Sequence, residues 1–365
     1  MRLVCSKENF ARGIQAVQRA VSSRGPLPIL THIKLVADAG ALKLTATDLD
    51  VGLEARVPAD VHESGSIALT AKTFAEIVSK LPNSDIEMSL SEQEVTLKCL
   101  RSKFTLRGMP AAEFPELPQP NTDAPIALPA EELLKGIRQT AFAAAGEDKA
   151  VISGIFIQLS DGQLELVATD GYRLSWRRTQ LPNTAATLSV IVPKRAMDEL
   201  ARQLGAVSGD VTIAVSNNQA AFQLGDRYMT SRLVDGTYPN YRQIIPTTFV
   251  NEAVLDRASL LAAVDRVSIM AFDREAHIVK LEFSAEELRI TAGNTELGDS
   301  VEVLSLEYTG EPLTISFNAD YLVDALKNMD VDTIRMSLNT PLSPVLLRPL
   351  DNDSHTCLVM PLNRV

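Results

Sequence analysis

Asp48 and Asp170 close two copies of one motif, Thr-Ala-Thr-Asp at 45–48 and Val-Ala-Thr-Asp at 167–170. Two carboxylates presented alike suit acid–base work or a divalent metal. The third copy ends in Asn294, which does not ionise. A side-chain oxygen that caps a turn fits Asp and Asn equally, so the capping role is favoured. The four histidines, His32, His62, His277 and His355, stand in no HxxxH or similar spacing and read as structural or surface residues. No nucleophile–base constellation is evident, and neither GxGxxG nor a P-loop occurs. Cys5, Cys99 and Cys357 are odd in number and far apart, which points to neither a disulfide framework nor a zinc site.

The elements that carry these residues repeat. Leu42, Leu44 and Ala46 alternate with polar or Thr/Val positions; so do Leu164, Leu166 and Ala168, and Leu288, Ile290 and Ala292. A period of two marks a half-buried strand. The copies start 122 and then 124 positions apart, which predicts three related domains in tandem. An amphipathic stripe precedes each copy: Phe10, Ile14, Val17 and Val21; Leu133, Ile137 and Ala141; Leu260, Val264, Val267 and Ala271. Apolar segments 27–35, 152–159 and 278–283 read as strands between stripe and repeat. A second helix follows each copy, on Phe74, Ile77, Val78 and Leu81, on Met197, Leu200, Ala201 and Leu204, and on Leu322, Ala325, Leu326 and Met329. Alternating strands then close each domain. The proline-rich stretch 113–125 and the stretch 238–248, with Phe114-Pro115 and Tyr238-Pro239 again 124 apart, break the chain, because proline fixes φ and withholds a donor. The expected domains are 1–120, 124–246 and 249–365. Each is an α+β unit of two helices and mostly antiparallel sheet.

At 365 residues and 45% hydrophobic, the chain is long enough for three cores. Its charged start is unlike a signal peptide, and no apolar run reaches about 18 residues, so a cytoplasmic protein with no membrane contact is expected. The net charge of −11 argues, on its own, against a nucleic-acid partner. Yet basic residues recur near the helices, and total charge says little about one face. The apolar tail Leu358 to Leu362 and the segment Gly171 to Leu174 read either as ordinary core or as a groove for a short peptide.

Taken in order and on this period, Leu27-Pro-Ile-Leu30, Thr45 to Asp48, Val167 to Leu174, Leu233 to Arg242, Phe317 to Tyr321 and Val359 to Leu362 resemble the β subunit of bacterial DNA polymerase III, the sliding-clamp family. The resemblance runs from Met1 to Val365. It implies a non-enzymatic processivity factor with no cofactor. Two copies would join head to tail in a closed ring around duplex DNA, with helices lining the hole and sheets outside. Such a ring holds DNA by topology, so it needs few strong phosphate contacts and tolerates an acidic exterior.

By the same resemblance, the dimer interface falls on Phe104 and Leu106 of one copy and Ile269 and Met270 of the other. DNA-facing candidates are Arg24, Lys72, Lys149, Lys194 and Arg195. The family often has aromatic residues near Ala150 and Val151 that touch single-stranded template; this chain lacks them. The partner-peptide groove maps to Ile152, Thr169, Gly171, Tyr172, Arg173, Leu174, Pro239, Gln243, Ile244, Asn318, Tyr321, Leu342, Pro344, Val359, Met360, Pro361 and Leu362. Tyr172 stands where His is common, and Gln243 where Arg is common. Implied partners are the catalytic subunit of the replicative polymerase, the clamp loader, and repair polymerases and ligase. The rival readings are a metal-dependent enzyme using Asp48 and Asp170, and a purely protein-binding scaffold.

Overall fold

A computed structural model describes the chain except residues 23–26, 39, 121–124, 182–184, 217, 272–276, 295–297 and 363–365. Six α-helices are present among the described residues: α1 Lys7–Val17, α2 Ala71–Lys80, α3 Ala130–Thr140, α4 Lys194–Leu204, α5 Arg257–Ser268 and α6 Ala319–Lys327. Three of them start on a side-chain cap. The Ser6 hydroxyl accepts the Asn9 amide at 3.2 Å ahead of α1. Asp256 accepts the Ser259 amide at 2.7 Å ahead of α5, and Asn318 the Asp320 amide at 2.9 Å ahead of α6. Each satisfies one of the amides a helix start leaves without a partner.

The expected stripes are the buried faces. Phe10, Ile14 and Val17 of α1 are buried, with Phe74 and Val78 of α2, and the Phe10 and Phe74 rings meet edge-on at 5.8 Å. Two helices lie very close to their sheets. A Cβ on Gly13 would come within 2.6 Å of Leu44, and one on Gly136 within 2.9 Å of Leu166. The same contact thus recurs one repeat later, between first helix and repeated strand.

The strands form four sheets, and every pairing is antiparallel. The chain divides into two compact units, residues 1–133 with 198–233, and residues 134–197 with 234–365. The first unit holds a five-stranded and an eight-stranded sheet. In the latter, Arg227–Arg232 pairs with Val51–Pro58, so strands from the central third complete a sheet begun in the first.

The second unit holds a four-stranded and a nine-stranded sheet. In the nine-stranded sheet Arg173–Gln180 pairs with His355–Val359, with Arg173 opposite Val359 and Leu174 opposite Leu358. This seam positions the site described below.

Two expected strands begin later than the apolar runs suggest. Pro28–Thr31 is a 3-10 turn and the strand starts at His32; Glu147–Ser153 is likewise 3-10, and the strand starts at Gly154. Pro28 favours the helical start because its missing N–H is not needed there. No helix among the described residues is long and apolar enough to cross a membrane.

Candidate functional site

The repeated Thr-x-Asp segments are turns with one hydrogen-bond pattern. Thr47 Oγ1 donates to the Val51 carbonyl at 3.0 Å and accepts the Leu49 amide at 3.0 Å. Asp48 Oδ1 accepts the amides of Asp50 and Val51 at 3.1 and 2.8 Å. One repeat on, Thr169 bonds the Arg173 carbonyl and the Gly171 amide at 2.7 and 3.1 Å, and Asp170 Oδ1 accepts Tyr172 and Arg173 at 2.9 and 3.0 Å. Both carboxylates are therefore turn caps, as expected. No cluster of three or more His, Cys, Asp or Glu among the described residues could hold a metal ion.

The second turn opens onto a cavity of about 400 Å³ lined by Thr169, Gly171, Arg173, Leu174, Ile244, Pro344, Leu358 and Met360. Its walls come from the seam. Leu174 and Leu358 face each other across the strand pair, and the Met360 amide donates to the Tyr172 carbonyl at 2.8 Å. Ile244 arrives on a short helical turn that a buried cluster fixes. There Phe156 stacks on Tyr238 at 5.1 Å, and Trp176 meets Tyr241 at 5.4 Å. Glu165 accepts the Tyr241 hydroxyl at 2.5 Å and is also paired with Arg242. Burial pushes the Tyr238 and Tyr241 hydroxyls far above the usual tyrosine range, with Glu165 adding to it at Tyr241.

Arg173 is the most constrained charge at the cavity. Its Nε donates to Asp170 Oδ2 at 3.1 Å and its Nη1 to Asp324 Oδ2 at 2.6 Å. Its guanidinium also lies 4.7 Å from the Tyr321 ring centre. It is thus a rigid wall rather than a free arm.

Seven of the groove residues read from the sequence line the cavity together. Tyr172, exposed, and Tyr321, half-buried, stack beside it at 6.3 Å. Asn318 is occupied as the cap of α6. Ile152 packs against the core cluster beneath, while Pro239, Gln243 and Leu342 are exposed. Pro361 and Leu362 are half-buried, and the Leu362 amide bonds Ser316 at 2.8 Å. Val359 is fully buried, whereas its neighbour Leu358, not named from the sequence, lines the cavity. Strand alternation from Met360 is the signal that points to Leu358 instead.

The other candidate positions are distributed as follows. Phe104 is exposed and Leu106 half-buried on Ser102–Arg107, the edge strand of the five-stranded sheet. Ile269, 72% exposed, ends α5, and the Met270 methyl lies beside Gly298 at the start of Gly298–Ser305. That strand is an edge of the four-stranded sheet and exposes Val301 and Val303. Among the basic candidates, Lys72 is exposed on α2 and Arg195 on α4, where Lys194 is half-buried; Lys149 is exposed. Arg24 lies outside the described residues.

One constellation escaped the sequence reading. Ser175 Oγ lies 2.9 Å from His355 Nε2, and Cys357 Sγ lies 3.3 Å from the same nitrogen. All three are buried in the nine-stranded sheet. Burial drives the Cys357 thiol up to about 12 and the His355 imidazole down to about 4, so the neutral forms persist and no nucleophile is generated.

Family models match the chain in three consecutive pieces: the N-terminal domain of the DNA polymerase III beta subunit at residues 1–118, the central domain at 127–240 and the C-terminal domain at 242–363. The chain is 38% identical over 374 residues to a beta sliding clamp from Synechococcus elongatus, covering 99% of each. It is 32% identical over 375 residues to that of Bacillus subtilis, again covering 99% of each. The crystal structure of the Bacillus subtilis clamp superposes with a TM-score of 0.96 at 31% identity, covering 100% of both chains. A Pseudomonas aeruginosa clamp solved bound to griselimycin gives 0.95 at 32%, again over 100% of both. With one family matched along the whole length and a turn repeated bond for bond between the first and second thirds, this chain belongs to the DNA polymerase III beta subunit family, the sliding clamps.

Proposed function

We propose that two copies of this chain close head to tail around duplex DNA and hold a replicative polymerase through the cavity between Leu174, Leu358, Ile244 and Met360. Family membership makes the chain a non-catalytic processivity factor of DNA replication that works with DNA and a DNA polymerase. The cavity carries the reading of how it does so. It is preformed, largely apolar, and of a size that takes two or three side chains of a short peptide. The same groove would serve the clamp loader, repair polymerases and ligase in turn, within the cytoplasm. Tyr172, Tyr321, Asn318, Gln243, Pro239, Leu342, Pro361 and Leu362 would form its rim.

The three domains, 1–120, 124–246 and 249–365, repeat the same helix–strand order. The interface would be built by edge strands. Ser102–Arg107 presents Phe104 and Leu106, and Gly298–Ser305 presents Val301 and Val303 beside Ile269 and Met270. Exposed apolar edges are a liability in a monomer and are relieved by pairing with another copy. Lys72, Lys149, Lys194 and Arg195 would face the DNA, together with Arg24.

Met360→Ala combined with Pro361→Ala tests the groove. Binding of a labelled peptide with Leu and Phe anchors should weaken at least tenfold, because truncating anchors in a desolvated pocket costs about 1.4 kcal/mol or more. The dimer mass should stay unchanged. Unaltered peptide affinity would reject the groove.

A further inference from the structure

A second cavity, of about 310 Å³, lies in the first compact unit, where Lys34, Lys43, Thr45, Glu54, Glu116 and Leu117 contribute to its walls. The Lys34 ammonium donates to Glu116 Oε1 at 2.6 Å. The two partners are unequal: the Lys34 side chain is 12% exposed, that of Glu116 85%. Lys43 Nζ lies 3.2 Å from Glu54, which also accepts the Thr45 hydroxyl at 3.5 Å.

The fold does not require this hollow. Lys34, Thr45 and Glu54 stand opposite one another on three neighbouring strands. One repeat of 122 positions later, Phe156, Val167 and Trp176 stand opposite one another in the same way. There Tyr238 stacks on Phe156 and Tyr241 meets Trp176, so rings fill the space. The first unit has Phe114-Pro-Glu-Leu117 where the second has Tyr238-Pro-Asn-Tyr241. Ionic side chains and open volume thus replace packed rings at matching places. A largely buried ammonium is no more stabilising than apolar packing of similar volume, so stability does not account for the exchange.

We infer that this cavity binds a small phosphate-bearing anion, and that the Glu116 carboxylate holds the place of that anion in its absence. Lys34 first, through its hydrogen bond and then its charge, and Lys43 more weakly, hold the Glu116 carboxyl below its ordinary range against the opposing effect of burial. The position therefore favours negative charge. Glu116 leaves it at little cost, because its side chain already stands in water, whereas Lys34 needs an anion beside it. Tethering gives Glu116 a high effective concentration, so a free carboxylate of equal charge does not displace it. A phosphate carrying two negative charges engages both ammoniums and does. Glu54 stays in the wall, paired with Lys43, and keeps the affinity modest. The site is independent of the peptide groove, whose lining residues belong to the second unit.

The test uses the full-length protein and diphosphate, with binding followed by phosphorus NMR at low salt. The wild type should bind with a dissociation constant of about 1 mM. Glu116→Gln should bind about tenfold more tightly, because the tethered competitor loses its charge. Lys34→Met should abolish binding and Lys43→Gln should weaken it about fivefold. Inorganic phosphate and a nucleoside monophosphate should both compete, the stronger showing whether the free ion or a phosphorylated body is preferred, while acetate at equal ionic strength should not compete. Should Lys34→Met fail to fold, the opposite shifts of Glu116→Gln and Lys43→Gln still decide the matter. Affinity in Glu116→Gln no higher than in the wild type, or binding that survives Lys34→Met, would overturn the assignment. So would displacement of diphosphate by short duplex DNA at equal phosphate concentration, which would give the lysines to nucleic acid.

Discussion

Leu49 and Gly171 occupy the same place in two copies of one turn, yet only one of them is suited to it. Both are left-handed, with φ of +81° and +93°. Glycine adopts this without cost, whereas a residue with a Cβ is strained by about 1–2 kcal/mol. The Leu49 side chain is 44% exposed, so little packing offsets the strain. Leu49→Gly should therefore raise the thermal midpoint, by up to about 1 kcal/mol of stability after the entropy of the added glycine. A lower midpoint would show that the Leu49 side chain has a partner worth more than the strain. His355 gives a second expectation. Burial first, and the Arg177 charge next, hold its imidazole down to about 4 against an ordinary value of 6.5. Between those values the unfolded chain binds a proton that the native one refuses. The stability contributed is present above pH 6.5 and is lost as pH falls towards 4, at up to about 1.4 kcal/mol per pH unit. Urea midpoints at pH 7.5 and 5 should differ accordingly, and His355→Gln should flatten the difference.

At the scale of elements, amphipathic stripes and the strand repeat were readable because each reflects a local period. All six helices fall where those stripes predict, although Val21, Leu81, Ala141, Ala271 and Met329 lie just beyond the regular helices. The Pro28 and Glu147 turns were not readable as such, since a short apolar run fits a strand or a helical start equally well. Nor was the division of the central third between two sheets, because strand partners 120 or more residues distant leave no trace in a period of two. The cavity shows the same boundary. Its turn residues were legible through the repeat and its tail residues through their apolar run, but Leu358 in place of Val359 depended on which face of the strand points inward. The Ser175–His355–Cys357 contact also needed the seam to bring it together. Edge strands yield a prediction at this scale. Phe104→Asp or Ile269→Asp places a charge on an apolar edge that pairing would bury, and should convert dimer to monomer in a sedimentation experiment at low micromolar concentration. A mass unchanged by both substitutions would place the interface elsewhere.

For the whole molecule, a charge of −11 sits easily with a DNA partner that is held by enclosure, since enclosure needs few phosphate contacts. Protein loaded on nicked circular DNA should stay bound through moderate salt and be lost when the circle is cut. Retention that falls steeply with salt on circles and linear DNA alike would mean ordinary phosphate binding. The rival metal-dependent enzyme has lost its support, because the two carboxylates it requires are engaged in capping their own turns.

The seam between Arg173–Gln180 and His355–Val359 also constrains how the molecule is made. Arg173 waits for Val359, 186 positions later, before its strand has a neighbour on that side. At a ribosome's pace of about 5–20 residues per second, the nine-stranded sheet stays open for roughly ten seconds or more while its edge is unguarded. A nascent chain stopped short of His355 has no substitute for the missing strand. Such fragments should be captured by chaperones or degraded.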